Sequence, residues 1–309
     1  MIRLIYIISF FVSFLFSNEI DIKQLQNEFK ENVLELNAYK QRYHNFLEKN
    51  CQEDYECLQK QIKRLKTWKS VQTDKKLDKI LKQKFSKTLY DEAYWNKILT
   101  KLKTKKIFFE ESQFVSIIDL ENQYFILSIW DNELKQYEYI GRDLISSGNI
   151  KRESEIQYGD NHYLKTPAGI FETQLGWRSD GKKNEDNITL GYGEKDRYVF
   201  YFGKHTTVRY NTFDKDGNKI QNPDKWRLIR DKLDFALHSH KSSFPMGTPN
   251  SHGCVRTTDE LNRFLDNNLV LHKNVLKGSK WSHKYAKAPD YPAYYNLAGK
   301  YLIVLDTIQ

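Results

Sequence analysis

Apolar residues recur at helical spacing from Ile22 to about Val71: Ile22, Leu25, Phe29, Val33, Leu36, Tyr43 and Leu47, then Leu58, Ile62 and Leu65. The stretch holds neither Pro nor Gly. This pattern predicts one or two long amphipathic helices, coiled-coil-like but with an irregular heptad. A second stripe follows through Leu77, Ile80, Leu81, Phe85 and Leu89, continued by Trp95, Ile98, Leu99 and Leu102. Residues 19–106 therefore read as an all-helical module. Near Gln113 the period changes. FVSIIDL, QYFILSIW and YEYIGRDLISSG are rich in β-branched and aromatic residues at strand length, separated by ENQ and DNELKQ. Further strands are predicted at Gly169–Thr173, Tyr198–Phe202, Thr207–Tyr210 and Tyr301–Leu305, with short helices after Pro223 and after Cys254. DKDGNK at 214–219 is a turn signal, and WRSDGKKNEDN reads as a loop. The fold class is α+β: a helical segment followed by a mainly β domain over residues 113–306.

The extreme N-terminus follows neither pattern. Arg3 precedes a predominantly apolar run of 13 residues, Leu4 to Phe16. The run is short for a membrane span and suits the core of a signal peptide, residues 1–17, with an uncleaved anchor or a short buried strand or helix as the other readings. Export implies a periplasmic or otherwise extracytoplasmic site, and it changes how the cysteines are read. There are three, Cys51, Cys57 and Cys254. In an oxidising compartment an odd number leaves one thiol over. In one continuous helix, residues six apart point to different faces and lie roughly 9 Å apart along the axis. A disulfide needs Cα atoms within about 7 Å. A Cys51–Cys57 bond thus requires a helix break in QEDYE, making a helical hairpin; otherwise the two stay apart or pair between chains.

Charge adds one point. The net charge is +9, and residues 18–112 hold 21 Lys and Arg against 15 Asp and Glu. On an exported chain such a basic excess favours anionic wall polymers or lipid headgroups. The plainer alternative is a solvated, lysine-rich helix face. Nothing in the helical segment carries chemistry, which leaves dimerisation (a homodimer), spacing from the membrane or docking as its roles. No nucleic-acid-binding motif is present. A mean hydropathy of -0.72 and 29% charged residues exclude a polytopic membrane protein.

The chemistry concentrates in LHSHKSSFPMGTPNSHGCVRTTDEL, residues 237–261. A catalytic cysteine wants a histidine in reach and backbone N–H groups aimed at the developing oxyanion. His238 ends the strand-like run DFALH, and Cys254 follows across a Pro/Gly/Ser-rich connection. Gly253 permits close backbone approach. Thr257 and Glu260 match a T-x-x-E capping box, predicting a helix start whose dipole favours thiolate at Cys254. His238, His240, His252 and Cys254 also have spacing that a zinc site permits. No acidic or cysteine partner repeats that pattern.

SHGCVR, placed after His238, resembles the catalytic motif of the L,D-transpeptidase (YkuD-like) family, and TPAGIF at Thr166–Phe171 resembles the TP-x-G-x-F strand upstream of it. The resemblance covers roughly residues 113–306 and implies a β-sandwich-like domain acting on peptidoglycan stem peptides, without metal or organic cofactor. It implies Cys254 as nucleophile and His238 as general base, with the main-chain carbonyl of Ser239 orienting the ring. The family commonly has glycine at that last position, and a carbonyl survives the change. Gly253 and Cys254 N–H groups are expected to line the oxyanion hole. Ser251, His252 and Arg256 belong to the motif, Arg256 either holding a substrate carboxylate or bracing the loop. The family implies release of D-alanine from a tetrapeptide, with a 3–3 cross-link when an amine accepts. L,D-carboxypeptidase trimming to a tripeptide, with a role in cell shape, shares the same first half-reaction; a non-catalytic wall-binding scaffold is the remaining alternative. GYGEKDRYVFYFGKH, residues 191–205, is rich enough in tyrosine to form a wall over the thiol, or equally to be strand residues with Tyr on a wet face.

Overall fold

The computed structural model describes residues 21–34, 90–151, 162–182, 191–240, 246–276 and 295–306. The leader, Cys51, Cys57 and most of the expected long helices lie outside the described residues.

Two sheets form the body. The first orders its strands β3-β2-β1-β9-β4, from β1 (Gln113–Asp119), β2 (Tyr124–Asp131), β3 (Gln136–Leu144), β4 (Gly169–Glu172) and β9 (Tyr301–Leu305). The second orders β5-β6-β7-β8, from β5 (Trp177–Arg178), β6 (Tyr198–Asn211), β7 (Arg227–Ser239) and β8 (Val255–Thr257). Most neighbours are antiparallel; β1–β9 and β7–β8 are parallel.

Apart from its edge strand β4, the first sheet is largely buried on both faces, and the period of two shows how. Phe114 and Ile118 of β1, Phe125, Leu127 and Ile129 of β2, and Leu302 and Val304 of β9 share one core with Phe200, Phe235, Leu237 and Val255 of the second sheet. The alternate residues Val115, Ile117, Ile126, Trp130, Ile303 and Leu305 form a second core with Trp95, Ile98 and Leu102. Those last three lie on α2 (Glu92–Thr104), which Asp91 caps through its side chain on Tyr94 N–H. Covering both faces explains why all seven residues of β1 are buried.

Helix α1 (Ile22–Val33) closes the first core with Leu25, Phe29 and Val33. Its cap is Asp21, whose carboxylate accepts Gln24 N–H at 2.9 Å. Phe29 meets Phe264 of α3 (Asp259–Asn267) edge-on at 5.1 Å. On β3 it lies over Gly141, where an added Cβ would come within 2.3 Å of the ring. The described helices of the N-terminal segment are thus built into the cores of the β domain. Their amphipathic stripes were legible, but what they face was not.

Several expected boundaries change. Tyr198–Phe202 and Thr207–Tyr210 belong to one strand, β6, because Gly203 (φ 93°) takes up a bulge between Tyr201 and Gly203 instead of ending the strand. The run RLIRDKL, too charged to read as a strand, is the outer half of β7 and pairs with β6 over its whole length. After Pro223 there is a single 3-10 turn, Pro223–Lys225, where a short helix is expected. Helix α3 is capped by Thr258, whose Oγ1 accepts Leu261 N–H at 3.2 Å; Thr257 instead ends β8. The thiol residue is therefore separated from the helix start by a strand.

The Gly141 contact predicts strong coupling. Gly141→Ala should destabilise the fold by about 1–3 kcal/mol through overpacking. Most of that cost should vanish in a Phe29→Ala background, measured as a double-mutant cycle by urea denaturation.

Candidate functional site

One face of the second sheet packs into the core; the other carries the polar residues. In β7, Phe235 and Leu237 point inward, so Asp234, Ala236 and His238 share the opposite face. Strand β8 pairs in parallel with the end of β7, Leu237 opposite Val255 and His238 opposite Arg256. Val255 is inward, so Cys254 and Arg256 lie on the same face as His238. Ala236 is the residue opposite Cys254 in this register. The 15 residues between the histidine and the cysteine are thus closed by a parallel strand pair.

The Cys254 thiol is free and partly buried. Its Sγ donates to the main-chain carbonyl of Asp234 at 3.5 Å, and the Ala236 N–H points at it. Burial pushes its pKa up to about 11, opposed by the Ala236 N–H and the Arg256 charge. His238 is buried, with Nδ1 at 2.9 Å from the Ser239 carbonyl. Nδ1 therefore carries the proton and donates, which leaves Nε2 as the acceptor. Burial, helped by Arg256, pulls the imidazole pKa down to about 4. At neutral pH the resting pair is an uncharged thiol and an uncharged imidazole.

The loop before Cys254 is tied from several sides. Ser251 Oγ donates to the Cys254 carbonyl and accepts the Gly253 N–H at 3.0 Å. Gly253 sits at φ 136° with its Cα against Leu233 and Leu164, where a Cβ would come within 2.8 Å of Leu233. Thr166 Oγ1 donates to the Gly253 carbonyl at 2.7 Å and accepts Gly148 N–H at 2.8 Å. The threonine of TPAGIF thus holds the SHGCVR turn directly. His252 stacks on Tyr163 at 4.2 Å, and His240 N–H donates to the Thr257 carbonyl. Arg256 Nη1 donates to the Asn250 carbonyl at 3.1 Å. Among the described residues no three His, Cys, Asp or Glu side chains, His238, His240, His252 and Cys254 included, group as a metal site would.

Two contributors were not singled out in advance. Tyr192 sets its ring edge-to-face on His238 at 5.2 Å, and burial raises its pKa, with Cys254 the next cause. Trp177 backs it at 5.3 Å. The following residue, Gly193 (φ 85°), packs so closely on Ser239 that a Cβ would fall 1.9 Å from its Oγ. From the tyrosine-rich stretch 191–205, Tyr192 lies beside the histidine, while Tyr198 is a core strand residue. Asp234 is the second; it opens DFALH, which reads as a strand, and its role at the thiol comes from its main-chain carbonyl, which leaves no mark in sequence.

The family model of the YkuD L,D-transpeptidase catalytic domain matches residues 113–280, more than half of the chain. The chain belongs to the L,D-transpeptidase catalytic-domain family. Similar solved structures include an L,D-transpeptidase from Xylanimonas cellulosilytica, 18% identical, covering 63% of this chain and 61% of that one with a TM-score of 0.30. Bd1075 of Bdellovibrio bacteriovorus is 17% identical, covering 64% and 50%, with a TM-score of 0.32. The helical cell shape determining protein Pgp2 of Campylobacter jejuni is 13% identical, covering 70% and 55%, with a TM-score of 0.31. The chain spans between half and about three fifths of the length of these relatives. No curated protein sequence matches it.

Within this L,D-transpeptidase domain the two shifted groups set pH dependences of different kinds, stability for His238 and thiol reactivity for Cys254. The His238 pKa falls from 6.5 unfolded to about 4 folded. Between those values the unfolded chain binds the extra proton, so stability declines as pH drops from about 6.5 towards 4. Urea midpoints measured across this window should fall, and His238→Gln should flatten that part of the profile. Alkylation of Cys254 by iodoacetamide, followed by peptide mass spectrometry, should still be accelerating above pH 9, with a midpoint near 11. Thr166→Val, which removes both bonds of its hydroxyl from the buried turn, should cost about 1–3 kcal/mol in the same urea assay.

Proposed function

We propose that the protein is a peptidoglycan L,D-transpeptidase that works by cysteine acyl transfer. Cys254 is the nucleophile and His238 the general base. The carrying observation is that β8 places the free thiol on one sheet face with a buried imidazole whose Nδ1–H is committed to the Ser239 carbonyl. The imidazole is neutral at working pH and presents Nε2 as a proton acceptor. It takes the thiol proton as sulfur attacks the carbonyl of the third residue of a tetrapeptide. The C–N bond to the terminal D-alanine breaks, the imidazolium protonates the leaving amine, and a thioester remains. An amine of a second stem then attacks the thioester, His238 takes its proton, and the thiol is restored with a 3–3 cross-link. Because a free thiolate is disfavoured, attack and proton transfer are coupled.

We assign the Cys254 N–H as the principal oxyanion donor, since the Gly253 N–H already donates to Ser251 Oγ. Ser251, His252 and Arg256 shape the loop. The N-terminal residues 1–17 are read as an export leader that delivers the enzyme to an extracytoplasmic wall substrate. Residues 19–106 are read as a helical segment of which α1 and α2 anchor on the catalytic domain of residues 113–306.

Mass-spectrometric product analysis tests this. Purified protein incubated with disaccharide-tetrapeptide should yield a cross-linked dimer lacking one D-alanine, and Cys254→Ala should yield none. A tripeptide without dimer would identify water as the acceptor and an L,D-carboxypeptidase. No product in either sample would overturn the enzymatic reading in favour of a wall-binding scaffold.

A further inference from the structure

The thiol has charges of opposite sign on its two sides. Towards Ser239 lies Arg256, whose charge acts on both Cys254 and His238. Two residues the other way along β7 lies Asp234, whose charge acts on Cys254 and Tyr192. A carboxylate beside a nucleophilic sulfur opposes thiolate formation and so works against reactivity. Its place calls for another explanation.

The surroundings of Asp234 supply one. Its Oδ1 accepts the Tyr201 hydroxyl at 3.0 Å, which orients the carboxylate. Register puts Tyr201 opposite Ala236, on the same face. Trp177 contacts both tyrosines, Tyr192 at 5.3 Å and Tyr201 at 5.9 Å. The result is a carboxylate tied through Tyr201 to a chain of three aromatic rings and open to solvent: the Asp234 side chain is 66% exposed and Tyr192 43%. Lys204 approaches Asp234 only to 3.9 Å, and both side chains are more than half exposed. Such a loose surface pair is readily exchanged for a ligand. A carboxylate with aromatic faces beside it attracts an ammonium through charge and through the ring quadrupoles together.

We infer that Asp234, with the rings of Tyr192, Tyr201 and Trp177, forms a subsite for a primary ammonium group of the substrate, next to the Cys254 thiol. The inference rests on the acyl-transfer reading above for the identity of that substrate. The ammonium has two sources there: the side-chain amine of the donor's third residue, or the amine of the acceptor stem before it loses its proton.

The test uses the full chain and its Asp234→Asn variant, with Tyr201→Phe as a second variant that keeps the carboxylate but frees it. First, Cys254 is modified with a cationic and with an anionic methanethiosulfonate of similar size, read at the Cys254 peptide. The preference for the cationic reagent should fall about tenfold in Asp234→Asn, the scale of a lost hydrogen bond to a charged group, and by less in Tyr201→Phe. Second, D-alanine release is compared between tetrapeptides whose third-residue side-chain amine is free or acetylated. Third, the acyl-enzyme is partitioned between water and an added acceptor stem. A drop in the free-to-acetylated ratio assigns the subsite to the donor. A drop in cross-link relative to hydrolysis, with the donor ratio maintained, assigns it to the acceptor. Should all three ratios match wild type in Asp234→Asn, there is no ammonium subsite at Asp234. If wild-type protein turns over no peptide while the reagent preference still follows Asp234, the cation subsite stands and the acyl-transfer reading falls.

Discussion

The site depends on one short parallel pairing. Strand β8 has three residues, Val255–Thr257, and lies along the last turn-free residues of β7. Val255 anchors it in the core, and the period of two then directs Cys254 and Arg256 to the face that carries His238. A slip of one residue would send the thiol into the hydrophobic core and Val255 to the open face. The surrounding structure holds that register. Thr166 fixes the Gly253 carbonyl, Ser251 braces the turn from within, and Thr258 both caps α3 and donates to the buried carboxylate of Asp143 at 2.7 Å. The first sheet, largely covered on both faces, is the rigid wall against which this is assembled.

Burial that secures the register also sets the chemistry. The same desolvation that lowers the His238 pKa raises that of Cys254, so the two groups diverge and do not form a resting thiolate–imidazolium pair. A neutral thiol is a poor nucleophile until a base removes its proton, and in the proposed mechanism the neutral imidazole is the group that does so. Reactivity is then tied to the presence of an electrophile correctly seated in the site. The Nδ1 bond to a main-chain carbonyl, in place of a carboxylate, fits this arrangement because it fixes the ring without adding charge.

Much of this was legible in the sequence, for identifiable reasons. Strand β9 occupies the residues its β-branched run predicts, and β1, β2 and β4 begin and end within a residue or so of expectation. Continuous apolar runs of that kind arise where both faces of a sheet are buried. The outer half of β7 was hidden because Arg227, Arg230 and Lys232 stay exposed and none of its residues is fully buried, so no continuous apolar run marks it. The two motifs revealed the residues of the site, and their order in the chain said nothing of the Thr166–Gly253 bond that joins them. Tyr192 and Asp234 escaped for different reasons. Tyr192 acts from a turn with no periodicity, and Asp234 reaches Cys254 through its backbone. The partners of α1 and α2 were beyond reach because an amphipathic stripe says that a face is buried and not against what.

The most direct test of the account is single-turnover trapping of the acyl-enzyme. Wild-type protein and His238→Ala are mixed with a stem tetrapeptide, quenched in acid and analysed by intact mass and peptide mapping. The account predicts a thioester at Cys254 with loss of D-alanine in wild type, and a rate lower by about 10²–10⁴ in the folded variant, the usual contribution of a general base. An adduct at any other residue, or acylation of the variant at the wild-type rate, would contradict it.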